Sequence, residues 1–171
     1  MKITAKIKAS LLAVAVATSL AVMPDANAYP YTNDTLGIQV ELAAEPAKSG
    51  ANDHAAQMLY EKYGLVLKVF DQTQPQEELD AYLAQTDTEI KQQMSAYQKD
   101  MGVFLVDAYW VKDGNHPIMF AEAYNQQHYF ATANVISSKR ICTITRIAGD
   151  KMTDAERDEF LAVARSLAFT K

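Results

Sequence analysis

Four runs of apolar and alternating residues between positions 101 and 148 form the clearest pattern in the chain. The first run is rich in β-branched and aromatic residues and leads into Asp113-Gly114-Asn115, a strong hairpin turn signal. Short polar turns separate the later runs, and short connections favour pairing between consecutive strands. The pattern predicts an antiparallel β-meander with the strands Val103–Lys112, His116–Asn125, His128–Ile136 and Arg140–Ala148.

The first predicted strand is apolar on both of its faces. Phe104, Ala108 and Trp110 alternate with Leu105 and Tyr109, so in regular strand geometry each set lines its own face. A sheet that is apolar on both faces must be covered on both. The pattern therefore predicts an α+β domain, an α/β/α sandwich in which helices cover both faces of the meander.

Two stretches have the spacing of those helices. Apolar residues recur every three or four positions along Pro75–Met101, with proline at a first helical position and Gly102 after the end. Thr86-Asp87-Thr88-Glu89 is a capping-box pattern inside this stretch, which leaves open whether it forms one helix or two. A second capping box at Thr153–Glu156 predicts a closing helix.

The region before position 71 has weaker signals. Leu36–Leu42 alternates and predicts a strand, Pro46–Asn52 predicts a loop, and Leu65–Phe70 is a compact apolar strand. Asp53–Tyr63 has near-helical spacing and a possible N-cap at Asn52, so it predicts a helix. A hairpin arm is the competing interpretation of that piece.

Residues 1–28 have the layout of a cleavable signal peptide, with three lysines before an apolar run and small residues at Ala26-Asn27-Ala28. Cleavage would leave residues 29–171 as a single α+β domain, a size that can bury a core without disulfides. We expect an exported protein, periplasmic or secreted, with no stable membrane insertion after removal of the signal. The single cysteine, Cys142, is expected to be a small buried residue.

The net charge of the chain limits the classes of partner that we expect. Removal of residues 1–28 takes away three of the 16 basic and one of the 21 acidic residues, which leaves a formal net charge of −7. An acidic surface disfavours nucleic acid and anionic lipid headgroups.

With these parts in place, the order of elements resembles the PsbP-like α/β/α sandwich group. This group includes photosystem accessory proteins, a nuclear Ran-binding family and several bacterial exported proteins. The resembling parts are the strand Leu36–Val40, the helix before Gly102, the meander and a closing helix that ends with Phe160–Phe169. The resemblance implies a binding or assembly role without chemistry. It carries over no site residue, because no diagnostic motif matches.

No motif for enzymatic chemistry or for a cofactor is present, so we expect a protein that is not an enzyme and holds no cofactor or metal. The sequence lacks a nucleophile elbow, a glycine-rich phosphate loop and a cysteine pair. A metal site would draw on His54, His116 and His128. The last two flank the second meander strand, about 30 Å apart at 3.4 Å per residue, so they cannot share one ion within a monomer.

One end of the meander collects basic residues. His116, Lys139 and Arg140 are the candidate partner-binding residues, as a recognition edge for an acidic group, although a solvated turn shaped by Asp113 and Asn115 is the simpler interpretation. We therefore expect a binding or accessory protein of the cell envelope, with another envelope or extracellular protein as its partner. The alternatives are a small-molecule or metal-binding carrier and an extracellular hydrolase.

Overall fold

The computed structural model describes residues 28–171, leaving aside the side chains at positions 97 and 100. The predicted signal peptide lies outside the described residues, apart from its last residue, Ala28. Along the described chain the elements are β1 (Tyr29–Asn33), β2 (Ile38–Leu42), β3 (Lys48–Ala51), β4 (Ala55–Leu59), β5 (Tyr63–Asp71), α1 (Gln76–Leu83), α2 (Asp87–Asp100), β6 (Phe104–Val111), β7 (Ile118–Tyr124), β8 (Tyr129–Ile136), β9 (Arg140–Ala148), α3 (Asp154–Ser166) and β10 (Ala168–Phe169).

Two antiparallel sheets form from these strands. The larger has the order β3-β4-β5-β9-β8-β7-β6, and the smaller has the order β1-β2-β10. The predicted meander is confirmed, because β6 to β9 pair with one another in sequence order. The strand β5 extends the meander beyond β9, and the β3-β4 arm follows β5.

Cover on both faces of the large sheet is also confirmed, and with it the α+β sandwich. On one face, α3 and the small sheet enclose the main core, which contains Ile118, Phe120 and Phe160. On the other face α2 packs on the β6-β7 edge, where Ile90 contacts Met119 and its neighbours. The alternation of β7 decides this division, because successive strand residues point to opposite faces.

Pro75–Met101 contains two helices, α1 and α2. Thr86 is the N-cap of α2, and its hydroxyl accepts a hydrogen bond from the Glu89 backbone amide at 3.3 Å. The Glu89 carboxylate in turn accepts a hydrogen bond from the Thr86 amide at 2.7 Å. The same capping box forms at Thr153 before α3. Each box satisfies amides that the first helical turn leaves free.

The helix predicted at Asp53–Tyr63 is wrong, and the competing hairpin arm is correct. Asn52, the predicted N-cap, does accept two backbone amide hydrogen bonds through Oδ1, from His54 and Ala55. These bonds close a tight turn between β3 and β4 instead of starting a helix. The loop predicted at Pro46–Asn52 is also wrong in part, because Lys48–Ala51 forms the fully exposed edge strand β3.

The face assignment of β6 is wrong at Leu105 and at Phe104, which pairs with Tyr124 and therefore faces away from Trp110. A bulge between Leu105 and Asp107 shifts the register, so Leu105 pairs with Ala123 and packs on the α2 side together with Trp110. An extra residue in one strand reverses the alternation beyond it, and a regular two-residue pattern cannot anticipate this.

Candidate functional site

A groove opens between α1 and the outer face of the large sheet, and it has a volume of about 640 Å³. The volume lies within the roughly 300–1,000 Å³ of small-molecule sites. α1 forms one wall, the loop after β5 forms an end, and strands β5, β8 and β9 form the floor. The lining residues are Phe70, Gln72, Gln74, Glu78, Ala81, Tyr82, Gln85, Asn134, Ile136, Ile141 and Thr143.

The floor carries a cross-strand polar pair. Asn134 and Thr143 are register partners on β8 and β9, and the Thr143 hydroxyl donates a hydrogen bond to Asn134 Oδ1 at 2.7 Å. The bond uses one of the two lone pairs of the Asn134 oxygen, so Nδ2 and the second lone pair remain for a ligand. Two titratable side chains line the groove, Glu78 and Tyr82. Burial raises the pKa of Tyr82, so its hydroxyl stays protonated and uncharged at neutral pH.

Two glutamines in the walls hold buried polar atoms without a hydrogen-bond partner among the described residues: Gln72 Nε2 and Gln85 Oε1. The other polar atom of the Gln72 amide, Oε1, accepts a hydrogen bond from the Gln74 backbone amide at 3.2 Å, and this bond orients the side chain. A buried polar atom without a partner costs about 1–3 kcal/mol. The groove wall therefore contains one donor and one acceptor that a ligand or water could satisfy after a small side-chain rotation.

The short helix α1 is fixed at few points. Leu79 is its one buried residue, and the Tyr82 ring meets Trp110 edge-on at 5.5 Å. At the C-terminal end of α1, Lys112 Nζ donates to the Leu83 carbonyl at 3.2 Å, where the helix dipole favours a positive charge. The groove wall is thus a helix of eight residues attached through Leu79, through the Tyr82 ring and at its C-terminal end.

The opposite face of the sheet contains two buried charges that the sequence analysis missed. Glu122 and Arg146 lie on either side of Ala131 in one row across β7, β8 and β9, and are 1% and 6% exposed. Each is paired with the first turns of α3: Glu122 with Arg157 at 3.0 Å, and Arg146 with Glu156 at 3.0 Å.

The sequence held a signal for these charges. Ile118, Phe120 and Glu122 share one face of β7 by alternation, so a carboxylate stands at a position that its neighbours mark as core. A charge at such a position needs a partner from the covering element, because buried charges are usually paired. The pairs tie the N-terminal end of α3 to the middle of the sheet.

Beside these pairs lies a small cavity of about 70 Å³ lined in part by Tyr60, Tyr63 and Arg146. The Arg146 guanidinium stands 4.6 Å from the Tyr63 ring centroid, and the two tyrosine rings stack at 4.5 Å. Burial, and next the neighbouring Tyr63, raise the pKa of Tyr60 to about 12. The cavity holds at most a few waters, so it is part of the packing of this face.

The candidate partner-binding residues lie at one end of the meander, but they differ in environment. Lys139 is exposed in the β8-β9 turn. The Arg140 side chain is 18% exposed, with Nε 3.5 Å from Asp71 Oδ1, an electrostatic contact longer than a good hydrogen bond. His116 packs edge-on against Phe169 at 5.3 Å. The partner site at His116, Lys139 and Arg140 remains a prediction.

Arg140 is also part of the packing between the two sheets. Its Nη1 lies so close to Gly37 that an added Cβ would be 2.6 Å away, and Gly37 has φ +64°, which favours glycine. The turn between β1 and β2 therefore packs directly against the Arg140 guanidinium.

His116 and His128 lie at opposite ends of β7. No cluster of three or more metal-ligating side chains occurs in residues 28–171, side chains 97 and 100 excepted. Cys142 is buried in β9, and burial raises the pKa of its thiol to about 12. Among the described residues, none of the helices combines the length and apolar character needed to span a membrane.

The arrangement of elements is similar to that of a solved structure. The solution structure of cyanobacterial PsbP (CyanoP) from Synechocystis sp. PCC 6803 matches with a TM-score of 0.55 and 12% sequence identity, covering 86% of this chain and 95% of that one. The chain therefore has a PsbP-like fold. At this identity the likeness concerns the fold alone. No protein-family model and no curated protein matches the chain.

Proposed function

We propose that residues 29–171 form an exported accessory protein of the cell envelope that binds a ligand in the groove beside α1 and catalyses no reaction. One observation carries the proposal: the groove, about 640 Å³, combines apolar side chains with several amide side chains. Small-molecule sites typically have this composition, with apolar surface for affinity and a few polar groups for orientation. The proposal gives the carrier alternative a specific place in the fold.

The wall residue Ala81 provides a direct test. Ala81 is exposed on α1 and lines the groove, so Ala81→Trp should fill the groove without disturbing the core. We expect thermal unfolding of residues 29–171 to shift upward with a binding compound from a panel of metabolites and divalent metals. A ligand at a hundred times its Kd adds about 2.7 kcal/mol. The variant should lose that shift.

The matched control is Ala162→Trp, which places the same side chain on the exposed side of α3, away from the groove. It should keep the full shift. Equal shifts in both variants would place the ligand elsewhere, and no shift with any compound would count against a groove-binding role.

Export is part of the proposal and rests on the pattern of residues 1–28. Mass spectrometry of the full-length chain expressed in a bacterium should find a product that begins at Tyr29 in the periplasm or the medium. An intact N-terminus in the cytoplasm would contradict it.

A protein partner is the second candidate, and the observation that favours it concerns Arg140. Its Nε and Nη1 have no hydrogen-bond partner among the described residues, the one acidic contact of Nε is the 3.5 Å approach of Asp71 Oδ1, and the exposed Lys139 stands next to it. An acidic group of a partner could pair with this end of the sheet. Crosslinked co-purification from the envelope should lose the partner when Lys139 and Arg140 are replaced by Ala. If the partner still co-purifies, this site should be dropped.

A further inference from the structure

The groove lining also indicates what kind of ligand it takes. We infer that the groove binds a neutral, hydroxyl-rich ligand, a short saccharide. The inference rests on the proposed groove-binding function and makes it more specific.

The polar side chains of the groove are nearly all uncharged and bifunctional. Three glutamines and one asparagine each carry both donor and acceptor groups, and Thr143 adds a hydroxyl. A sugar hydroxyl also donates and accepts, so a row of amides can bond neighbouring hydroxyls in pairs. The unpartnered Gln72 Nε2 and Gln85 Oε1 supply one donor and one acceptor of this kind.

The apolar part of the lining suits the other surface of a sugar ring. Phe70 is 53% exposed at the groove, and the partly exposed Tyr82 and Ile141 continue the apolar surface. The C–H face of a pyranose carries a slight positive charge, and the face of an aromatic ring is negative, so the two attract. An exposed aromatic ring next to several amides provides both kinds of contact at once.

Charge argues against phosphorylated and acidic ligands. Glu78 is the one charged side chain among the lining residues, and the mature chain has a formal net charge of −7. A phosphate or carboxylate in the groove would meet a like charge and no lysine or arginine of the lining. The volume of about 640 Å³ leaves room for more than one sugar ring.

The test is calorimetric titration of residues 29–171 with maltotriose, cellotriose and tri-N-acetylchitotriose, and with trigalacturonate as the charged comparison. We expect binding of at least one neutral trisaccharide and none of trigalacturonate. Phe70→Ala should weaken binding about tenfold or more, since it removes the stacking surface. Leu59→Ala is the matched control, because Leu59 is equally exposed at 54% but does not line the groove.

The outcomes separate the inference from the proposed function. Saccharide binding that Phe70→Ala and Ala81→Trp leave unchanged would overturn the inference, as would tighter binding of trigalacturonate. If no saccharide binds but another compound shifts unfolding and Ala81→Trp abolishes that shift, the saccharide inference fails and the groove function stands. If nothing binds, both fail. Unchanged unfolding midpoints of the variants would show that they are folded, which their exposed positions predict.

Discussion

The two faces of the large sheet are built differently. On the α3 face a helix of thirteen residues buries four side chains, and two ion pairs connect it to the middle of the sheet. On the α1 face a helix of eight residues buries one side chain and leaves a groove where Phe70 is half exposed. Dense packing and paired buried charges fix one face in place, while loose cover leaves the other able to accept a ligand. Under the proposed groove-binding function, the firmly packed α3 face and the binding groove lie on opposite sides of one sheet.

The largest expected effect comes from breaking the ion pair under α3. Arg157→Met removes the partner of Glu122, which is 1% exposed, and leaves a carboxylate buried without a counter-charge. Removing one member of a buried pair costs about 3–5 kcal/mol, so we expect the free energy of unfolding in urea at pH 7 to fall by about that amount.

The double variant Glu122→Leu/Arg157→Met is the control for this prediction. It removes both charges and should recover most of the loss, since replacing a whole pair by apolar groups is often neutral. A loss below about 1 kcal/mol in the single variant would place this pair with surface ion pairs and weaken the comparison.

A smaller and more local effect is expected on the α1 face. Leu79→Ala removes the buried contact of α1 and should cost about 2 kcal/mol, mainly as local opening of the helix. Amide hydrogen exchange should accelerate in α1 and change little in β7 to β9. Leu161→Ala, a buried leucine of α3, should instead accelerate exchange across the whole domain. If both variants accelerated amide exchange over the same range of residues, α1 would be held as firmly as α3.

The two capping boxes allow a comparison of how much stability each glutamate contributes as the pH falls. The hydrogen bonds from the Thr153 backbone and hydroxyl, and then Arg146, hold the pKa of Glu156 below its usual value. A lowered folded pKa stabilises the protein above the unfolded pKa of about 4.3, and this contribution is lost as the pH falls through the folded pKa. Glu156→Gln should lower the free energy of unfolding at pH 7 by less than Arg157→Met does, because the Glu156 side chain is 37% exposed and screened by solvent, and it should flatten the decline of stability below pH 5.

The matched variant is Glu89→Gln in the α2 box. Thr86 lowers the pKa of Glu89 through the same two bonds. Arg146 lowers the pKa of Glu156 but not that of Glu89. Glu89→Gln should therefore flatten the acid decline of stability less than Glu156→Gln does. Urea unfolding between pH 3 and 7 compares the two, and a larger effect at Glu89 would contradict the role given to Arg146.

The smallest effect is expected at Tyr60. Its hydroxyl donates to the Ala44 carbonyl at 3.2 Å, and burial raises its pKa from 10.0 to about 12. A raised folded pKa means that its contribution is complete below pH 10 and is lost as the pH rises toward 12. Tyr60→Phe should cost about 1 kcal/mol or less at pH 7 and reduce the decline of stability above pH 10. An unchanged alkaline decline, measured by urea unfolding, would contradict this.

Local signals made much of the fold predictable. The Thr86–Glu89 and Thr153–Glu156 boxes place two helix starts correctly, because a capping box depends on four consecutive residues. The meander follows from short connections between apolar runs. In contrast, β3 has no buried residue and therefore no alternation to detect, and Asn52 satisfies the same amides in a turn as at a helix start.

The candidate site could not be predicted in the same way. Its lining comes from α1, from the loop after β5 and from three strands, so the groove exists only through the placement of a helix over part of a sheet. Lys139 and Arg140 are neighbours in one turn of the sequence, but the structure gives Arg140 a second neighbour, Gly37, from the turn before β2. Contacts between residues that are distant in sequence cannot be predicted from a local pattern of apolar and polar residues.

The small sheet is completed late in synthesis, because its strand β10 comes from the C-terminal part of the described chain. Phe169 pairs with Ile38 of β2, and the Thr170 amide donates to the Gly37 carbonyl, so the small sheet joins segments from opposite ends of the described chain. At roughly 5–20 residues per second, synthesis separates these partners by on the order of 10 s. During that interval β2 lacks its last neighbour. Until positions 168–169 have been made, β1 is the one partner of β2 within the small sheet of the described chain.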